Sequence, residues 1–132
     1  MSDREQFFKR LDEACAGLPG WRREGHRLTL ALEAGRHQSV EIEFMTFEQH
    51  ERVRFYSEIG SVERIDPLRL TSALRLNFGL PYAALAVRDD TLVLVATASV
   101  TETAPRELEA CARYLGEMAD HFERTMYGPD EH

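Results

Sequence analysis

The chain is expected to be an α+β domain with the element order α-β-β-β-α-β-β-α, an antiparallel sheet with helices packed on it. Three observations predict this. Three segments carry apolar residues three and four positions apart, and five others carry strict alternation or short apolar runs. The segments are joined by short turns, which forces consecutive strands to run antiparallel. No long linker, internal repeat or low-complexity stretch interrupts them, so residues 1–132 are expected to form one domain.

The first helix is "SDREQFFKRLDEACAGLPG". Ser2 and Glu5 have capping-box spacing, and Phe7, Phe8, Leu11, Cys15 and Leu18 form its apolar face. Gly17, Pro19 and Gly20 end it. "HRLTLALE" alternates, with Leu28, Leu30 and Leu32 on one face, and "AGR" turns the chain. "QSVEIEFMTF" alternates again, with Val40, Ile42 and Phe44 inward. "RVRFYSEIGSV" places Val53, Phe55 and Ile59 inward and Arg52, Arg54 and Tyr56 outward. The inward residues are even-numbered in one strand and odd-numbered in the next, so paired residues must sum to an odd number. A two-residue turn at Glu48–Gln49 makes that sum 97, which pairs Phe44 with Val53, Ile42 with Phe55 and Glu43 with Arg54.

"DPLRLTSALRLNF" is the second helix, with Asp66 as its N-cap and Pro67 in its first turn. "NFGLP" then reads as a joint. Gly79 is expected to turn left-handed and Leu80 to fold back onto Leu74. Pro81 blocks the helix, and Asn77 caps the last turn or bridges to the next strand. "YAALAVRDDTLVLVATA" is a hairpin turning near Asp89–Asp90. Its strands are apolar at nearly every position, so they are expected to be central or covered on both faces. "APRELEACARYLGEMADHFERTMYG" is a long amphipathic helix stopped by Gly128 and Pro129, with Leu108, Cys111, Leu115, Met118 and Phe122 along one face.

A formal net charge of −7 argues against non-specific binding to nucleic acid or to an anionic membrane, which needs a basic surface. The apolar runs are far shorter than a membrane span, and the polar N-terminus carries no signal-peptide pattern. A cytoplasmic protein with reduced cysteines is expected. Cys15 and Cys111 both lie on apolar helix faces, where cysteine behaves as a small hydrophobe. Glu117 and His121 are one turn apart, which reads as an exposed acid–base pair before it reads as half of a metal site. His37 lies on a polar strand face and His132 ends the chain. No catalytic or nucleotide-binding motif occurs. An enzyme, a metal and a cofactor are therefore not expected.

The apolar residues that the pattern leaves over are the informative ones. Met45, Phe47 and Tyr56 share the outward parity of Glu41, Glu43 and Arg54. Either the domain's own loops or Trp21 cover them, or they form a dimer or partner surface. With Phe7, Phe8 and Leu11 of the first helix they are the candidate partner-binding residues, Leu11 having the stronger claim to the core.

In order, size and acidity the chain resembles the type III secretion chaperone-like superfamily, which includes the Tir-chaperone type and the YbjN-like proteins. The resemblance is carried by "LRLNFGLPYAALAVRDDTLVLVATASV" followed by "PRELEACARYLGEMADHFERTMYG", and by topology alone over the first half. It implies a homodimer without catalytic activity that holds an extended client segment through sheet-edge pairing and apolar pockets. The alternative that it implies equally is a YbjN-like regulatory or adaptor domain that binds a folded partner.

Overall fold

The structure is a computed structural model and describes residues 1–127. The expected stop at Gly128 and Pro129, like His132, lies outside the described residues. Helix α1 spans Asp3–Cys15 and opens on the predicted capping box: the Glu5 amide donates to the Ser2 hydroxyl at 3.1 Å, and the Glu5 carboxylate accepts from the Ser2 amide. Strands β1 (Arg22–Glu24), β2 (Arg27–Ala31), β3 (His37–Phe47) and β4 (His50–Ser61) follow, then α2 (Pro67–Leu76), β5 (Ala84–Arg88), β6 (Thr91–Ser99) and α3 (Pro105–Tyr127). The six strands form one antiparallel sheet in the order β1-β2-β3-β4-β6-β5.

Strand β1 has no counterpart in the sequence reading. Its three residues are Arg22, Arg23 and Glu24, which carry no apolar alternation. It exists because the two-residue turn Gly25–His26, with Gly25 at φ 60°, folds it onto β2. The β3–β4 register is the predicted one: Phe44 pairs with Val53, Ile42 with Phe55 and Glu43 with Arg54. Glu48 and Gln49 both take positive φ, the geometry that a two-residue hairpin turn demands. β6 is central, as its double-sided apolarity requires, whereas its hairpin partner β5 is an edge strand.

The core lies on one face of the sheet. Phe7 and Leu11 of α1 and Leu108, Leu115 and Phe122 of α3 pack there against Leu30, Val40, Val53 and Phe55. Their burial supplies the hydrophobic term that drives folding. The end of α3 is seated on β4. The Tyr127 hydroxyl donates to the Ser61 carbonyl at 2.7 Å, and its ring lies against Gly60, where a Cβ would come within 2.5 Å of it.

The joint after α2 differs from its expected form. Asn77–Gly79 is a 3₁₀ turn, and Gly79 is not among the residues with positive φ. The Asn77 side chain holds this turn by donating to the Leu85 carbonyl at 3.0 Å and accepting from the Leu85 amide. The bridge to the next strand fixes the chain's direction, so no left-handed residue is needed. Leu80 turns toward α3 and is partly buried, while Leu74, onto which it was expected to fold, is exposed.

Candidate protein-binding surface

The six residues singled out from sequence fall into three environments. Phe7 and Leu11 are completely buried. With Cys15 they repeat every four residues, so they form the stripe that faces the sheet, and the core itself occupies them. This removes both from any partner surface of the folded chain. Phe8 is about 100° further round the helix and stays at the rim. Its ring meets His26 at 5.3 Å and Phe44 at 5.5 Å, and the Arg23 guanidinium lies 4.4 Å above it. Arg23 is fixed by two bonds to Asp12, of 2.6 and 2.9 Å, and by one to the Gly25 carbonyl. The hydrogen bond from Arg23 holds the Asp12 carboxyl below its usual range. The Arg4 guanidinium lies over Phe44, 4.7 Å from its centroid, and pairs with Glu51.

Met45, Phe47 and Tyr56 lie on the face opposite the helices. Phe47 is 56 % exposed at the end of the β3–β4 hairpin, and the other two are half-buried. They do not make one patch. Tyr56 stands beside Glu41, and Met45 beside Arg52 four residues along β4, roughly 13 Å away. Charge surrounds Tyr56: Arg88 stacks on its ring at 4.6 Å, and Glu43 accepts from Arg54 at 2.9 Å and pairs with Arg88 at 3.1 Å. Burial raises the Tyr56 hydroxyl pKa. Trp21 does not cover this face. It lies under Arg113 of α3, 5.1 Å from its guanidinium.

A larger apolar surface was not foreseen. Leu68, Leu74 and Leu76 of α2, Phe78 of the turn, Tyr82, and Val87 of β5 are all exposed, Phe78 completely. α2 buries only Ala73 fully, with Leu70 partly covered. Beside this ridge, Ala73, Leu76, Leu80, Met118, Phe122 and Met126 line an open groove of about 430 Å³ between α2 and α3. The signal was present in the sequence. Leu68, Leu70, Ala73, Leu74 and Leu76, at 100° per residue, spread over about 240° of the helix. An apolar arc that wide needs more cover than one packing face gives.

Among the described residues no side-chain arrangement favours catalysis. Both cysteines are free, and burial pushes the Cys15 and Cys111 thiols up to about 11, far from a reactive thiolate. Among the described residues no group of three or more His, Cys, Asp and Glu side chains could hold a metal ion. The charged cleft beside Trp21 balances Arg36, Arg113 and Arg124 against Glu33, Glu117 and Asp120, and Asp120 is tied to Arg36 at 3.0 Å and Arg124 at 3.2 Å. Among the described residues no helix is long and apolar enough to cross a membrane.

No protein-family model matches the chain, and no curated protein matches it in sequence. Solved structures do match. A chain of the ExsC–ExsE complex superposes at TM-score 0.65 and 13 % identity, covering 96 % of this chain and 97 % of that one. A chain of the HopA1–SchA chaperone–effector complex superposes at 0.61 and 10 % identity, covering 94 % and 98 %. A chain from the complex of the Yersinia pestis type III secretion chaperone SycH with a stable fragment of YscM2 superposes at 0.57 and 15 % identity, covering 88 % and 98 %. The similarity runs the length of both partners and includes the helices as well as the sheet: this chain has the α+β fold of the type III secretion chaperones.

Proposed function

We propose that residues 1–132 form one non-catalytic protein-binding domain that acts in the cytoplasm as a homodimer and holds a segment of a client protein. The observation that carries this reading is the exposed apolar surface from Leu68 to Val87, which is too extensive for a helix meant to face water. The likeness to chains of chaperone complexes supports it. We assign that surface to the second copy of the chain. A ridge ending in Phe78 lies beside the α2–α3 groove on one patch, and a two-fold axis presents each copy's ridge to the other's groove. The client falls to the remaining candidates: Phe8 at the α1 rim, and Met45, Phe47 and Tyr56 on the open sheet face. Mixed charges around Tyr56 suit side-chain recognition of a polar segment with occasional apolar anchors.

Light scattering after size exclusion tests the dimer. The wild-type chain is expected at twice its monomer mass, and Phe78→Asp at the monomer mass with an unchanged circular dichroism spectrum. Loss of one central aromatic anchor costs an interface roughly 2–4 kcal/mol, a drop in affinity of about 30- to 1,000-fold. A wild-type chain that is monomeric at tens of micromolar (about 50 µM, an affinity weaker than about 6 kcal/mol) refutes the dimer. Affinity purification from native lysate tests the client. A bound protein is expected, protected from protease over one segment and released by Tyr56→Asp or Phe47→Asp. A globular partner with no protected segment favours the regulatory adaptor instead.

A further inference from the structure

We propose that Asn77 is an edge lock: its side-chain amide closes the β5 edge of the sheet to strand addition by another chain. The inference does not depend on the dimer or the client. β5 ends the sheet, and an edge strand presents unpaired amides and carbonyls that template another strand. Along an antiparallel edge strand every second residue points both its amide and its carbonyl outward. Leu85 is one of these, since both of its groups go to Asn77 and not to β6. The alternation then makes Val87 the other outward residue of Ala84–Arg88, with Ala84, Ala86 and Arg88 turned toward β6.

The Asn77 amide copies the donor and acceptor of a backbone and so occupies the first outward position. Within Ala84–Arg88 Val87 alone remains, and a single residue cannot hold an added strand. Ahead of the strand, Pro81 has no amide to offer. The lock matters because the strand it guards is apolar up to its last residue, Ala84-Leu85-Ala86-Val87 before Arg88, with Leu85 buried and the Val87 side chain half in water. The opposite edge of the sheet is no easier to extend. In the β1–β2 hairpin the pair Glu24–Arg27 closes the two-residue turn, which leaves Arg23 as the outward residue of β1. Pairing along the two terminal strands, one form of the edge pairing that the family resemblance implies, is thus restricted, and at β5 the restriction is a single side chain.

Asn77→Ala, made in a Phe78→Asp background so that the α2–β5 face cannot account for association, is expected to form assemblies that grow with protein concentration and bind a cross-β dye. Adding Val87→Pro removes one of the two amides then open, leaves only that of Leu85, and is expected to restore the parent mass. An Asn77→Ala variant that melts lower but keeps the parent mass overturns the proposal, because Asn77 is then a joint and nothing more. Should Asn77→Ala fail to fold, hydrogen exchange on the wild-type chain decides. A Leu85 amide as protected as that of Ala86, with Val87 exchanging at least about tenfold faster, supports the lock. A Leu85 amide exchanging as fast as Val87 overturns it.

Discussion

Gly60 and Gly79 show how differently one residue type is used in this chain. Gly60 lets the ring of Tyr127 lie directly on β4, and a methyl group there would sit 2.5 Å from the ring. Gly60→Ala is therefore expected to push the ring away, weaken the Tyr127–Ser61 bond and cost about 1–3 kcal/mol in urea unfolding. Gly79 has no atom within 4 Å of its missing Cβ and no positive φ, so Gly79→Ala is expected to leave stability within about 0.5 kcal/mol or raise it slightly. Asp12 is the residue through which acid acts on the α1–β1 contact. Arg23 depresses its folded pKa below the unfolded value of 3.8. The pair's contribution is thus present above that value and lost as pH falls through the folded one. Melting temperatures of wild-type and Asp12→Asn chains are expected to differ by a constant amount near neutrality and to converge in acid below 3.8. At this scale the sequence was partly legible. Asn77 could be read as a bridge because an amide after a helix has few other uses. Gly79 was misread because that bridge does the work expected of a left-handed glycine.

Among the elements, β3 and β4 were read with their register, since a period of two and a short turn leave one parity that keeps both apolar sets inside. The same logic could not find β1, whose backbone pairs with β2 although its side chains carry no alternating pattern. Nor could it separate β5 from β6: both are apolar on both faces, but only β6 has a strand on either side. α2 was legible as a helix and not as a surface. Its cap and its proline mark where it starts, while nothing local states whether its apolar sides meet the domain's own core or another molecule. With Ala73 as its one fully buried residue, α2 is weakly anchored. Its amides are expected to exchange by local opening, well before those of α3, and to slow as protein concentration rises and a second copy covers them. Exchange rates that do not depend on concentration would place the dimer elsewhere.

For the whole molecule, the sheet divides the chain into a face that folds it and faces that the proposed function assigns to other molecules. α1 and α3 cover the first, where Phe7, Leu11, Leu108 and Leu115 pack on the inward side chains of the strands. The second faces carry paired charges around Tyr56 and the uncovered leucines and Phe78 beyond α2. Of the candidate site, the outward residues of β3 and β4 were readable from parity. The α2–β5 surface was not, because exposure depends on what the rest of the chain fails to cover. Phe78, wholly in water, is held in place by a turn whose own anchor is Asn77. Its identity is therefore nearly free of the folding problem. A lineage could exchange it, or Leu74 beside it, and change its choice of partner in one step without passing through an unfolded intermediate sequence. The chains that share this shape at 10 to 15 % identity over almost their full length show that very different sequences can build one frame.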